Sequence, residues 1–429
     1  MKPDTARWRV LVLSTVAFTL LFNVWLMLGV LGIKVRQEFH FSPAQMEWLA
    51  AAAILAGALP RLNFGIWADR YGGRTMTLVL LFLCAVPAYL VCFATTYMQF
   101  LACALLFGLA GTHFTVGISW NSAWFPNEVK GTALGIFGAG NIGASGTKLL
   151  VGLAPSVLTL IPTAGYLGGW IPGGWRALPA AYAAILVLMG VAVFFLAPTP
   201  DRTPGRGRTF ADLMRPLRDT RVWRFSLYYV VVFGAYVALS AWLPTYYHDT
   251  YGVSLRTAAL LTATYIFPAS LLRPVGGWLS DRFGPRVVTY AVFVTMALAL
   301  AALSVPRGTH LGIDYEPGLA VFAGLMFVVG AAMGIGKASV YKYVPDYYPD
   351  DVGAVGGLVG ALGAMGGFLM PPAFGAVGRV TGAPQAAFLV LLVLTLGCLA
   401  WLHVVVLAIR ARERAGRSSR GAGVAVEPA

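Results

Sequence analysis

Two arginines stand out as candidates for chemistry. Arg61 lies inside the apolar run "EWLAAAAILAGALPRLNFGIWADRYGGR", and 212 positions later Arg273 lies in the similar run "TATYIFPASLLRPVGGWLSDRFGPR". A guanidinium at the centre of a membrane helix costs roughly 2.5–3.5 kcal/mol on insertion scales, so two in equivalent settings imply a use. All 17 Asp and Glu fall in expected loops or helix ends, which leaves neither arginine a deep carboxylate partner. The rigid planar fork of a guanidinium suits a small planar oxyanion, and the pair points to an anion site on an internal symmetry axis.

Depth supports this. Arg61 precedes Asp69, and Arg273 precedes Asp281, by eight residues, or about 12 Å of helix, against a half-bilayer core of about 15 Å. Pro60 and Pro274 flank the two arginines and are expected to kink the helices there and free backbone groups. Two glycine-rich runs, "GTALGIFGAGNIGASG" (131–146) and "GAVGGLVGALGAMGGFLMPP" (353–372), supply Gly140, Gly143, Gly363 and Gly366, where backbones can approach each other or a substrate. Asn141, about 15 Å into its helix from Gly131, adds an amide donor at the depth of the arginines. Lys148, nearer the outer end, is expected to snorkel.

The elements that position these residues follow from composition. The chain has 429 residues, 58% hydrophobic and 11% charged, with mean hydropathy +0.74, which excludes a soluble globular domain. Twelve apolar segments are expected near 9–32, 45–68, 75–95, 98–124, 130–160, 177–198, 223–247, 256–280, 287–305, 316–343, 350–378 and 384–408. The opening "MKPDTARWR" carries no small-residue cleavage site, so the first segment reads as a retained helix. Most of the 31 Lys and Arg fall on the side of the N-terminus, which predicts a multi-pass protein of the inner (plasma) membrane with both termini cytoplasmic. The same rule explains the net charge of +14 without a nucleic-acid partner. Cys84, Cys92, Cys103 and Cys398 lack metal-ligand spacing and read as small buried apolar residues.

A polar stretch rich in Pro, Gly and Arg divides the helices six and six. It predicts bundles over 1–198 and 223–408, a cytoplasmic linker over 199–222 and a cytoplasmic tail over 409–429. The halves repeat: Asp69, Arg70, Gly72 and Arg74 recur as Asp281, Arg282, Gly284 and Arg286 at an offset of 212. Pro126, Gly131, Gly140 and Gly143 recur as Pro349, Ala354, Gly363 and Gly366 at an offset of 223. The fold class is therefore an all-α membrane protein of twelve helices in two six-helix bundles. In each "DR-x-G-x-R" loop the glycine permits a tight turn and the aspartate can pair with an arginine or a helix N-terminus across the bundle interface, as a gate would require.

The paired loop resembles the signature of the major facilitator superfamily, and the resemblance covers essentially the whole chain. The deep arginine in each second helix, with "G-x-x-x-x-G-N-x-G" in the fifth helix and a glycine-rich counterpart in the eleventh, resembles the nitrate/nitrite porter family. That resemblance implies that Arg61 and Arg273 clamp the anion, that Asn141 lies near it, and that Phe114, Tyr229 and Phe233 sandwich its flat faces. "GIGKASVYKYVP" (334–345) resembles the tenth helix of the branch associated with proton-coupled nitrate uptake, from which this chain departs at Lys337, where that branch often has Asn. Lys337 is thus a pathway candidate. His113, whose imidazole can titrate near neutral pH, is a coupling candidate.

No ATP-binding loop, metal cluster or catalytic triad is visible, so neither an enzyme nor a cofactor is expected. The reading is secondary active transport of nitrate, nitrite or both by alternating access in a monomer, with proton symport slightly favoured. Nitrate/nitrite antiport, or carriage of another small monovalent oxyanion, is the alternative.

Overall fold

The computed structural model describes residues 3–153, 156–157, 160–305, 308–310, 313–383 and 385–422. The last part of the expected tail, 423–429, and the Lys148 side chain lie outside the described residues. The chain is helical nearly throughout. The first half holds α1 (Pro3–Trp25), α2 (Leu28–Phe39), α3 (Pro43–Ala58), α4 (Arg61–Tyr71), α5 (Gly73–Leu90), α6 (Tyr97–Gly108), α7 (His113–Trp124), α8 (Asn127–Ala139), α9 (Gly146–Leu153) and α10 (Ala177–Leu196). A short α11 (Phe210–Met214) lies in the connection. The second half holds α12 (Thr220–Tyr229), α13 (Ala235–Tyr251), α14 (Leu255–Leu271), α15 (Arg273–Phe283), α16 (Pro285–Ser304), α17 (Leu319–Tyr347), α18 (Val352–Thr381) and α19 (Ala386–Ala422). A small antiparallel hairpin, β1 (Gly308–His310) with β2 (Ile313–Tyr315), joins α16 to α17.

Local chemistry sets the element ends. Ser42 and Thr96 start α3 and α6 with reciprocal capping boxes to Gln45 and Gln99, which satisfy N-terminal amides that have no intrahelical partner. The second span breaks at Pro60, and the eighth at Leu272 beside Pro274, so both arginines open a new helical segment as the prolines predicted. Gly72 (φ 92°) and Gly284 (φ 82°) make the turns inside the two repeated loops, in a backbone region that disfavours any side chain.

Among the described residues, eleven helices are long and apolar enough to cross a membrane. The fifth crossing differs from expectation: instead of one helix over 130–160, α8 and α9 are separated by a 3-10 run at Gly140–Ser145. The first crossing is also shorter than expected, ending at Trp25. The charged α2, with Lys34, Arg36 and Glu38, begins after a turn.

The halves meet through backbone. α4 packs on α18, and α15 on α8. A Cβ at Gly65 would stand 2.0 Å from the Gly353 carbonyl oxygen, and one at Gly277 would stand 2.1 Å from that of Gly131. Only glycine permits this approach. The contacts also correct the repeat register. Gly131 faces Gly277 and Asp281 as Gly353, not Ala354, faces Gly65 and Asp69. The offset is therefore 222 at this level, whereas Gly140 and Gly143, packed on α1, still answer to Gly363 and Gly366, packed on Tyr229 to Gly234, at 223. The fifth span is one residue short between these landmarks.

Candidate anion site

Arg61 and Arg273 are both fully buried. Arg61 is held from both halves: its Nε donates to the Gly57 carbonyl at 2.9 Å and its Nη1 to the Gly360 carbonyl at 3.0 Å. Its Nη2 has no partner among the described residues. Arg273 is bound differently. The carbonyl equivalent to Gly57 is Ala269, and Lys337 takes it, donating from Nζ at 3.0 Å. Nε and Nη1 of Arg273 are left buried without a partner among the described residues. A buried charged donor without an acceptor is costly, and three guanidinium nitrogens here lack one among the described residues.

Flat rings surround the guanidiniums. Phe114 of α7 and Phe233 of the π-helical run Val230–Gly234 lie 2° from parallel with centroids 6.5 Å apart. Tyr229 stacks on Phe233 at 5.0 Å and lies 11° from the plane of Phe114 at 6.2 Å. Arg61 Cζ is 5.6 Å from the Phe114 centroid and 5.9 Å from that of Phe233, and Arg273 Cζ is 5.3 Å from Phe114. A planar group between two rings needs roughly 7 Å, two van der Waals contacts of about 3.5 Å, and the 6.5 Å centroid separation is the upper limit of the gap between these two ring planes.

Asn141 sits in the 3-10 run, 3% exposed, with both amide atoms unpaired among the described residues. It follows Gly138 by one 3-10 turn, and a Cβ at Gly138 would stand 2.4 Å from Arg273 Nε. The Arg273 guanidinium therefore lies against the end of α8, at Gly138, three residues before Asn141. A cavity of about 280 Å³, lined by Phe22, Trp25, Ile54, Asn141, Phe233 and Tyr236, reaches this level from the side opposite the repeated loops. Neither arginine lines it, contrary to the expectation that both face a common cavity. Phe114, Phe233 and Trp25 pack around the guanidiniums instead.

Other expected residues fall elsewhere. His113 is buried with its Nε2 3.1 Å from Thr77 Oγ1, and neither residue lines the cavity. Lys337 is also buried, with Nζ 3.1 Å from the centroid of Tyr236, a cavity-lining ring. Three site residues were not singled out in the sequence. Trp25 carries Arg61 at 5.5 Å and donates from Nε1 to the Ala53 carbonyl at 2.7 Å. Tyr341 stands edge-on to Phe114 and Tyr229 at 4.9 and 4.6 Å. Tyr236 is the third. Tyr341 is one helical turn beyond Lys337, a spacing that could have flagged it; Trp25 and Tyr236 left no such signal.

The repeated loops close the opposite side. Asp69 accepts from the Gly353 and Ala354 amides at the start of α18, at 2.8 and 3.3 Å, and from Ser119 Oγ at 2.6 Å. Asp281 accepts from the Gly131 and Thr132 amides in α8, at 2.8 and 2.6 Å, and from Thr132 Oγ1 at 2.7 Å. Asp69 thus caps a helix of the other half, where the helix dipole favours negative charge, whereas Asp281 meets α8 one turn beyond its start. Asp281 also pairs with Lys342 Nζ at 3.1 Å, whereas Asp69 has only neutral donors. The arginines of the loops serve elsewhere. Arg74 donates to the Phe194 carbonyl at 2.7 Å and Arg286 to Tyr347 Oη at 3.2 Å, while Arg70 and Arg282 lie over Tyr71 and Trp278. The connection reinforces this face. Asp201 accepts from the Arg74 amide and from Trp120 and Trp124 Nε1, and Arg208 pairs with Asp351 at 2.7 Å.

Comparison with known proteins agrees with this architecture. The profile of the Major Facilitator Superfamily matches residues 13–310 and 249–427. The chain is 55% identical over 96% of its length, and 94% of the other protein's, to the "Probable nitrate/nitrite antiporter NarK1" of Thermus thermophilus. It is 31% identical over 90% of its length, and 93% of the other's, to the "Probable nitrate/nitrite transporter NarK2" of Mycobacterium tuberculosis. Among solved structures it resembles the major facilitator transporter FucP in the outward conformation, with TM-score 0.68 and 16% identity over 92% of this chain and 99% of that one, a likeness of fold alone. Identity of this extent from end to end, on two bundles joined by glycine-lined helices, makes the chain a multi-pass membrane transporter and not an enzyme, and places it in the nitrate/nitrite porter family of the major facilitator superfamily.

Proposed function

We propose that the chain carries nitrate and nitrite across the inner membrane by alternating access, holding the anion between Arg61 and Arg273 and between the faces of Phe114 and Phe233. The observation that carries this reading is the set of buried donors without a partner among the described residues, Arg61 Nη2 with Arg273 Nε and Nη1, beside two parallel rings. Asn141 supplies a further donor, and Tyr229, Gly140, Gly143, Gly363 and Gly366 shape the site around it. The bundles over 1–198 and 223–408 rock about the site, with the linker over 199–222 and both termini on the cytoplasmic side. Empty, the two guanidiniums repel; a bound anion offsets that repulsion and favours closure, so binding itself supplies the differential energy between states. Asp69 and Asp281 latch the cytoplasmic side, and their release opens it.

Uptake is proposed to be coupled to protons. Exchange of nitrate for nitrite is the second reading, favoured by the name of the relative from Thermus thermophilus and by the lack of a carboxylate among the residues lining the cavity. Nitrate flux into proteoliposomes holding only this protein tests the function. Imposing an inward proton gradient, with and without internal nitrite, separates the two modes, and a preference for a non-planar anion over nitrate would refute the slot.

A further inference from the structure

Three buried cations lie around one site, and only one of them can lose its charge. A guanidinium stays protonated in proteins, whereas an amine can exist in either form. Lys337 is fully buried in α17 and packed against Tyr236, which lines the cavity. Its Nζ is 5.8 Å from the centroid of Phe233, the ring that also carries Arg61 at 5.9 Å. The groups facing it are Arg273 from α15 and Tyr236 from α13, with its hydroxyl 3.3 Å from Ser270 Oγ; Tyr265 of α14 packs on the Tyr236 ring and donates from its hydroxyl to Met333 Sδ. On α17 itself, Tyr341 donates to the Gly356 carbonyl, and the one carboxylate, Asp346, is held at Lys342. Among the described residues no carboxylate pairs with Lys337.

We infer that Lys337 is the proton-binding group of the transport cycle, a role that rests on the transport reading above. With two fixed positive charges nearby and no counter-ion, a third is unfavourable until an anion enters. Nitrate between the arginines favours the proton on Nζ, and by linkage the proton favours nitrate by the same factor. The site then takes up one anion with one proton and moves them together. The step balances: a proton from water in the cavity joins the Nζ lone pair and returns to water on the other side. The neutral amine keeps two N–H bonds, so the hydrogen bond to the Ala269 carbonyl survives in both forms. Tyr236 stands between Nζ and the cavity, and its movement admits the proton. The occupied Ala269 carbonyl has a second effect, because it leaves the Arg273 donors to the cargo.

The test uses purified full-length protein in proteoliposomes, with nitrate as the probe. Wild type is expected to show nitrate uptake accelerated by an inward proton gradient, and also nitrate/nitrite exchange without one. Lys337→Met, which removes the amine and keeps the bulk, is expected to stay folded, to exchange nitrate for nitrite at a reduced rate because the freed Ala269 carbonyl competes for Arg273, and to lose the acceleration altogether. Lys337→Arg, with a fixed charge, is expected to lose it as well. Acceleration retained in Lys337→Met, or lost in His113→Ala alone, overturns the assignment and leaves the transport reading intact. A wild type that exchanges anions but ignores the gradient overturns both the assignment and the symport reading. If neither Lys337 variant folds, nitrate affinity of the wild type against pH decides. It should fall by up to about tenfold per unit once the empty site no longer holds the proton, and a flat profile between pH 5 and 9 defeats the proposal.

Discussion

Phe114 and Phe233 lie 2° from parallel, one ring contributed by each half of the chain. A slot made by two bundles keeps its width only while the bundles are docked, which ties anion shape to conformation. Phe233→Leu keeps apolar bulk and loses the flat face. Nitrate affinity should fall by roughly 0.5–1.5 kcal/mol, the range for a stacked ring pair, with little change in affinity for a non-planar anion. Equal losses for both anions, measured by calorimetry on purified protein, would remove the sandwich.

Arg61→Lys and Arg273→Lys should each cut nitrate uptake to below about a tenth, because charge is kept while the planar fork is lost. The two variants should differ in stability. Arg61 donates to two backbone carbonyls from opposite sides of the interface, whereas Arg273 Nε and Nη1 have no acceptor among the described residues. Thermal melting should show Arg61→Lys the weaker by about 1–3 kcal/mol, in line with hydrogen bonds from a charged group. Equal melting temperatures would contradict the asymmetry.

Asn141→Ala deletes an amide without a partner among the described residues and should weaken nitrate binding by about 1–3 kcal/mol while sparing the fold. Gly138→Ala places a methyl 2.4 Å from Arg273 Nε and should displace the guanidinium, lowering uptake more than expression. Unchanged affinity with reduced stability in Asn141→Ala would assign that residue to packing.

A fourth expectation concerns pH outside the membrane spans. Glu38 of α2 accepts from Arg176 Nη2 at 2.6 Å and from Trp175 Nε1 at 2.7 Å. Burial pushes its carboxyl up, but these hydrogen bonds and the Arg176 charge more than reverse the effect and hold it below its ordinary value of 4.5. The tie is therefore fully present above about pH 4.5 and is lost as pH falls through the lower folded value. Glu38→Gln should cost roughly 0.2–1 kcal/mol at pH 7, as for a solvent-accessible pair, and nothing once the wild-type carboxyl is protonated. Melts at pH 7 and below pH 4 compare the two, and a gap that widens in acid would be the wrong sign.

The arginines were legible because a charge in an apolar run has few ordinary explanations, and because the second copy recurs at a fixed spacing. The kinks followed from Pro60 and Pro274, and the turns from Gly72 and Gly284, since proline and glycine act on their own backbone. Trp25, Tyr236 and Tyr341 were not legible. In a chain with 12 Trp and 18 Tyr, placement around a guanidinium depends on helix rotation, which composition does not encode. The register of Gly131 was misread for a related reason. Gly131 and Gly140 lie nine residues apart and Gly353 and Gly363 ten, a one-residue difference that appears only in the backbone contacts.

In the second half, α18 runs for 30 residues as a single helix, while its counterpart is 13 residues of α-helix, six of 3-10 and eight more of α-helix. Hydrogen bonds in a 3-10 run are poorer, so it yields first under load. One bundle is therefore a stiff lever and the other carries a compliant joint, and that joint holds Asn141. The deformation that accompanies each stroke concentrates beside the cargo, so a machine of two near-identical parts works as an anvil and a spring.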